Sequence, residues 1–351
     1  MTSFRNLHQP TTRIIENNKQ DFLFFGGTAY LGLLGNQHYI ELFKEGIDHY
    51  GLNNGTSRSN NVQLGIYNQA EEDLASRFGF ESAALLSSGY LAAQVAVRSL
   101  CSSKKVCYAP DSHPSLWING DPGVKESFSE WSSKLVDEIN QSTESEFVII
   151  SNALDNLTPK SYDFTIFKNV EKTKQLLLIL DDSHGIGIVR KHGVSLDLES
   201  IRDANIQVVL LASLAKGLGT DSGVVLGESK PIAQVKKHPI FSGASPGSPA
   251  ALYAMIRGKD VYEAAFENLH KNTQLLAANT ADLELGRIKD FPVFTANLPA
   301  LSSRLLARGI VISSFPYPLS SSPLLNRVVV TAEHTEEDIL KVATALQTEI
   351  Y

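Results

Sequence analysis

The sequence predicts an α/β protein: a large domain on a mostly parallel sheet covered by helices, then a smaller α+β domain. Three observations lead there. Short apolar runs at residues 105–109, 147–151, 176–180 and 207–212 are continuous rather than alternating, as expected of strands buried on both faces. Helix-patterned stretches lie between such runs, which parallel strands need for their crossovers. After residue 240 the texture changes to long helix followed by short, separated strands.

Residues 1–35 read as an N-terminal arm in which Asp21 to Phe25 form a short strand turned by Gly26 and Gly27. Residues 36–240 form the large domain. Its first clear helix covers 70–78, with Leu74 and Phe78 on one face and Gly79 at the stop. A strand at 83–86 and a helix at 91–100 precede the four apolar strands. Residues 241–351 form the small domain: long helix over 249–279 broken near Gly258, strands at 293–295, 310–313 and 327–331, and a last helix at 335–348.

Composition narrows the function. With 31 Lys+Arg against 38 Asp+Glu, the net charge of −7 argues against a dedicated nucleic-acid binder. Hydrophobic content of 43% and charged content of 20% fit a globular chain of two or three domains. The longest apolar stretches fall well short of the roughly 18 residues of a membrane span, and the start lacks a basic segment leading into an apolar one. A cytoplasmic protein without membrane attachment is expected. Cys101 and Cys107 alone cannot build a zinc cluster, and no metal site is expected.

Several motifs fail on inspection. Gly185-Ile186-Gly187 and Gly217-Leu218-Gly219 begin dinucleotide fingerprints, but Arg190 and Ser222 stand where the third glycine belongs. Gly243-Ala244-Ser245-Pro246-Gly247 has the form of a nucleophile elbow that Asp290 and His334 could complete. Pro246 lacks the N–H that the oxyanion hole would need, so the hydrolase reading is set aside.

A stronger constellation sits at the ends of the apolar strands. One runs into Asp181-Asp182-Ser183-His184, the carboxyl edge where open α/β sheets place ligands. The next runs into Ser213-Leu214-Ala215-Lys216-Gly217, where a lysine in a buried, glycine-flanked turn suits a Schiff-base amine. Ser88, Gly89 and Tyr90 open a helix whose N-terminal N–H groups suit a phosphate. Asp111-Ser112-His113 follows another strand and could place an imidazole over a ring. Each side chain alone has a bland use: Asp181 as a strand-end cap, the histidines as satisfied core groups, Lys216 as a surface charge, Arg327 as an ion-pair partner. Together and in order they describe pyridoxal 5′-phosphate.

These motifs resemble those of the α-oxoamine synthases, a branch of the fold-type-I pyridoxal-phosphate enzymes. Ala29-Tyr30-Leu31-Gly32-Leu33 resembles the family's N-Y-L-G-L, Asn54-Gly55-Thr56-Ser57-Arg58 its G-G-S-R, and Ser88-Gly89-Tyr90-Leu91-Ala92-Ala93 its S-G-Y-x-A-N. Asp181 to Gly187 matches D-[DE]-A-H-x-x-G, Ser213 to Gly219 matches T-x-x-K-[AG]-x-G, and Phe241-Ser242-Gly243-Ala244 is similar to F-S-T-A. Departures are Thr28 for the first Asn, Tyr67 for a histidine, Lys191-His192-Gly193 for G-R-G, and Asn152 and Asn156 for an acid and a serine.

The resemblance implies a fold-type-I transferase in which Lys216 carries the cofactor covalently. Asp181 would pair with its ring nitrogen, His184 with the 3′-oxygen, and His113 would stack on the ring. Ser88, Gly89, Tyr90, Ser213 and Ser242 would hold the phosphate, the last from a partner subunit of a homodimer. Arg327, just before a small-domain strand, would anchor the substrate carboxylate. The reaction implied is decarboxylative acylation of a small amino acid by an acyl-CoA or acyl-carrier thioester. An aminotransferase would use the same cofactor shell, and a non-catalytic binding or regulatory protein is the reading that Asn152 and Asn156 favour.

Overall fold

The computed structural model describes residues 4–316, 322 and 324–350. The chain opens with a hairpin, β1 (Ile14–Asn17) and β2 (Gln20–Phe25). Helix α1 (Gln37–Tyr50) starts where the Asn36 side chain accepts the Tyr39 N–H, and α2 (Ile66–Phe78) stops at left-handed Gly79. β3 (Ser82–Leu86) leads directly into α3 (Gly89–Leu100), followed by β4 (Lys105–Tyr108). A Ser127–Glu130 capping box starts α4 (Phe128–Gln141) before β5 (Glu146–Asn152) and a short hairpin, β6 (Leu154–Asp155) and β7 (Lys160–Ser161). Next come β8 (Gln175–Asp181), α5 (Leu198–Ile201), β9 (Ile206–Ser213), β10 (Gly223–Gly227), α6 (Ser229–Lys237) and α7 (Pro239–Gly243). The C-terminal part holds α8 (Pro249–Arg257), α9 (Lys259–Asn279), β11 (Val293–Ala296), α10 (Leu301–Ala307), β12 (Ile310–Pro316), β13 (Leu324–Val329) and α11 (Glu336–Ile350).

The main sheet has the order β3-β10-β9-β8-β5-β4, with β9, β8, β5 and β4 parallel and β10 antiparallel to both its neighbours. Its strands are apolar on both sides because both sides are covered. Leu176, Leu178 and Leu180 pack into one core with residues of α2 and α4, whereas Leu177 and Ile179 face α3 and α6 in another. This is the α/β fold that the continuous apolar runs predict.

The second sheet has the order β1-β2-β12-β13-β11. The N-terminal hairpin joins the C-terminal strands through parallel pairing of Leu23 with Ile310. The break between α8 and α9 falls at Gly258, as expected. One strand is placed differently: β13 spans Leu324–Val329 rather than 327–331, so Arg327 lies within the strand, opposite Ser313 and Thr295, not just ahead of it. Asn326 and Arg327 look like polar punctuation in the sequence, yet both are buried in β13, between β12 and β11.

Candidate active site

Three strands end at one edge of the main sheet. Asp181 closes β8, opposite Asn152 at the end of β5, and Ser213 closes β9. After Asp181 the chain turns, with Asp181 Oδ1 accepting the Ser183 N–H at 2.9 Å. The adjacent acid points the other way. Asp182 accepts the N–H and the hydroxyl of Ser195, and burial pushes its carboxyl up to about 7. Asp182 thus fixes the turn, while the charge of Asp181 acts on Lys216 and His113.

Lys216 sits in a loop whose ends are tied by Leu214 N–H to Ser222 O at 2.9 Å and Thr220 N–H to Leu214 O at 3.2 Å. The Tyr262 hydroxyl of α9 donates to Leu218 O at 2.7 Å and holds the far side. Lys216 Nζ lies 3.0 Å from His184 Nε2, and His184 Nδ1 lies 2.8 Å from the Tyr30 hydroxyl. Burial lowers the Lys216 amine, Asp181 partly restores it, and Arg327 lowers it further. Burial holds His184 well below its ordinary range, helped by the positive charges of Lys216 and Arg327, so the imidazole is neutral at neutral pH.

Arg327 reaches this group from the second sheet. It is 3% exposed, and its Nε and Nη2 have no hydrogen-bond partner among the described residues. A guanidinium has donors only, so two buried, unpartnered nitrogens beside Lys216 and His184 call for an anion. The same strand face carries Leu325, which helps line a cavity of about 250 Å³ together with Asp111, Trp117 and Asp155. A cleft of about 700 Å³ lies behind the Tyr30 segment, against Leu31, Gly32 and Glu333, and Lys216 does not line it.

The start of α3 lies beside the lysine loop. Ser88 caps the helix by accepting the Leu91 N–H at 3.2 Å. A Cβ on Gly89 would lie 2.4 Å from Ser213 Cβ, and one on Gly223 would lie 2.2 Å from Ser88 O. Glycine at both places lets the helix N-terminus close onto the ends of β9 and β10. Tyr90, the next residue, is 60% exposed. Ser213 gives its N–H to Ser183 Oγ at 2.8 Å, linking this corner to the turn after Asp181.

His113 is brought to the same edge by Asn152. Asn152 Oδ1 accepts the His113 N–H at 3.1 Å, and its Nδ2 donates to Asp111 O at 2.8 Å. An amide accepts and donates at once here, which an ionised carboxylate cannot, and this gives the departure from the family motif a structural use. Asn152→Asp keeps the acceptor but sets a carboxylate against a carbonyl oxygen. Unfolding in urea should show a loss of about 1–3 kcal/mol, with a lowered midpoint and an unchanged slope.

Asp181, His184, Lys216, Arg327 and His113 therefore form one group, with Ser88, Gly89 and Ser213 beside it. Ser242 stands apart: its hydroxyl donates to Pro239 O at 3.2 Å and its carbonyl accepts from Ser59 at 2.9 Å. Tyr67 donates to Gly247 O at 3.2 Å and lies under the Arg58 guanidinium. The elbow string follows a helix rather than a strand, and His334 is stacked on Phe25 and bonded to Thr331 and Phe24 O. Sequence reasoning assigned no role to Tyr30 or Tyr262. Tyr30 lies within the segment resembling N-Y-L-G-L, the one signal that could have found it.

No family model matches the chain. It is 25% identical to the 8-amino-7-oxononanoate synthase of Dechloromonas aromatica, over 98% of this chain and 94% of that one. It is 26% identical to that of Cronobacter sakazakii, over 92% and 88%. The serine palmitoyltransferase structure from Sphingomonas wittichii matches with a TM-score of 0.84 at 18% identity, over 98% of this chain and 91% of that chain. The 8-amino-7-oxononanoate synthase structure from Francisella tularensis matches with a TM-score of 0.69 at 19% identity, over 94% and 98%. The chain has the α-oxoamine synthase fold. Fold-type-I architecture and near full-length resemblance agree with the motif reading. Within this α-oxoamine synthase fold, Lys216, Asp181 and His184 keep the motif residue types, and the departures lie around them.

Proposed function

We propose that the chain is a pyridoxal-phosphate-dependent transferase that acylates a small amino acid with an acyl thioester. A carbon–carbon bond forms at the amino-acid α-carbon, the carboxylate leaves as carbon dioxide, and the thiol is released. The observation that carries this reading is the buried Lys216 amine on a neutral imidazole, with a buried, half-partnered Arg327 alongside.

The residues fit the cofactor. Lys216 would hold it covalently, Asp181 would meet its ring nitrogen, His184 its ring oxygen, and His113 its face. The N-terminus of α3 with Ser88, Gly89, Tyr90 and Ser213 would take the phosphate, and Ser242 would reach it only from a partner subunit. When bound, the cofactor supplies an electron sink for the substrate carbanion. The protein does the rest. Arg327 grips the substrate carboxylate through its unpartnered Nε and Nη2 and orients the α-bonds. Lys216, lowered by burial, takes the proton from the α-carbon.

The family test is spectral. Incubation with pyridoxal phosphate should give a visible band that borohydride removes; a protein that stays colourless overturns the reading. Formation of the pyridoxamine form with an amino acid alone, without thioester, would indicate an aminotransferase instead. Arg327→Lys replaces a planar fork by a point charge. Titration of the visible band with amino acid should show at least about tenfold weaker binding, together with slower proton abstraction. A lowered thermal midpoint with unchanged affinity would instead mean that Arg327 only supports the fold.

A further inference from the structure

We propose that Tyr30 is a positioning residue: it holds His184 as the Nε2–H tautomer, so that the imidazole presents a donor, not an acceptor, to the Lys216 amine. This rests on reading Lys216 as the cofactor-binding lysine, but the tautomer itself is a property of the protein alone.

The argument is one of hydrogen-bond supply. Tyr30 is fully buried, its ring packed 6.1 Å from that of Phe291, with its hydroxyl 2.8 Å from His184 Nδ1. The positive charge of Arg327 acts on the same phenol. A buried phenol O–H must find an acceptor. Among the described residues that partner is His184 Nδ1. The alternative tautomer would point Nδ1–H at the same oxygen and leave the Tyr30 O–H unpaired in a buried place, which is costly.

With Nδ1 accepting, a neutral imidazole carries its proton on Nε2, 3.0 Å from Lys216 Nζ. An ammonium there would set donor against donor, whereas a neutral amine accepts the proton. Tyr30 therefore acts two bonds away to keep Lys216 in the nucleophilic form. The groups facing His184 are Tyr30, Lys216, Arg327 and His113, and those facing Lys216 are His184, Asp181 and Arg327. Arg327 works in the same direction as the tautomer and Asp181 against it. The motif segment marks the position of this tyrosine, and the chain of donors gives its use.

The test uses the full chain without cofactor. Selective ¹⁵N labelling of histidine, with His184 assigned by its loss in His184→Gln, should show Nε2 protonated and Nδ1 bare. In Tyr30→Phe the ring and its packing on Phe291 remain, but Nδ1 loses its donor and the tautomer should mix. The pH profile of Lys216 acetylation, read by mass spectrometry, should then move up by about one unit, a roughly tenfold loss of neutral amine at fixed pH. A merely structural tyrosine would lower the thermal midpoint, and loosening alone would also raise the Lys216 profile, but His184 would keep Nε2 protonated in Tyr30→Phe; an unmixed tautomer there overturns the proposal. If Tyr30→Phe does not fold, the wild-type spectrum alone decides: Nδ1–H in His184 refutes it. An Nε2–H tautomer in a protein that never gains a visible band would sink the cofactor reading and leave this one standing.

Discussion

Lys216→Ala is expected to leave a folded protein that develops no visible band with pyridoxal phosphate and loses turnover by about 10⁴-fold or more. The amine is both the covalent anchor and the base nearest the α-carbon in the proposed reaction, so one substitution removes two functions. The fold should not suffer. Lys216 makes one described side-chain hydrogen bond, to His184 Nε2, and its loop is tied by backbone bonds and by the Tyr262 hydroxyl. Removing a buried group whose charged form is disfavoured should leave the thermal midpoint equal or slightly higher. Gel filtration of the cofactor-treated variant followed by an absorbance spectrum checks the first point, and calorimetry the second. A band that persists through gel filtration and disappears on borohydride treatment would place the covalent bond on another lysine.

How much of this was legible in the sequence differs between the two sheets. The main sheet was readable because strands buried on both faces must be apolar throughout, and Leu176 to Leu180 has no other economical use. The second sheet was harder. Its strands are drawn from both ends of the chain, and β2 meets β12 across most of the sequence, a pairing no local pattern announces. β13 was misplaced because two of its buried residues are polar. Arg327 is buried with Nε and Nη2 unpartnered among the described residues, and a polar residue in a core position reads as a loop until the fold is seen.

The site divides in the same way. Lys216, Asp181, His184 and Gly89 are placed by strand ends and by a helix start, which sequence patterns do mark. Asn152 was read as a departure from a family acid, and its use appears only when Asp111 O and His113 N–H are found on either side of its amide. Tyr30 is marked in the sequence by its motif segment alone, and the use proposed for it lies in the direction of one O–H bond. Directions of hydrogen bonds are tertiary facts.

Asp181→Asn should cut turnover by about 10²–10⁴-fold while the cofactor still binds. Asparagine keeps the shape and keeps an oxygen for the Ser183 N–H now 2.9 Å from Oδ1, so the turn after β8 should hold. What is lost is the negative charge. In the proposed reaction that charge keeps the ring nitrogen protonated, and without it the electron sink weakens just when charge builds up on the substrate carbon. The same substitution has a second, cofactor-free signature. The Asp181 carboxylate raises Lys216 against the effect of burial, so its removal should move the Lys216 acetylation profile to lower pH. Tyr30→Phe should move that profile to higher pH. Two substitutions around one lysine with opposite displacements cannot both come from general loosening of the fold, which would expose the amine and return it upward in each case. Wild-type turnover in Asp181→Asn would remove Asp181 from the ring nitrogen, and an upward shift of Lys216 would show that the variant had opened the site rather than discharged it.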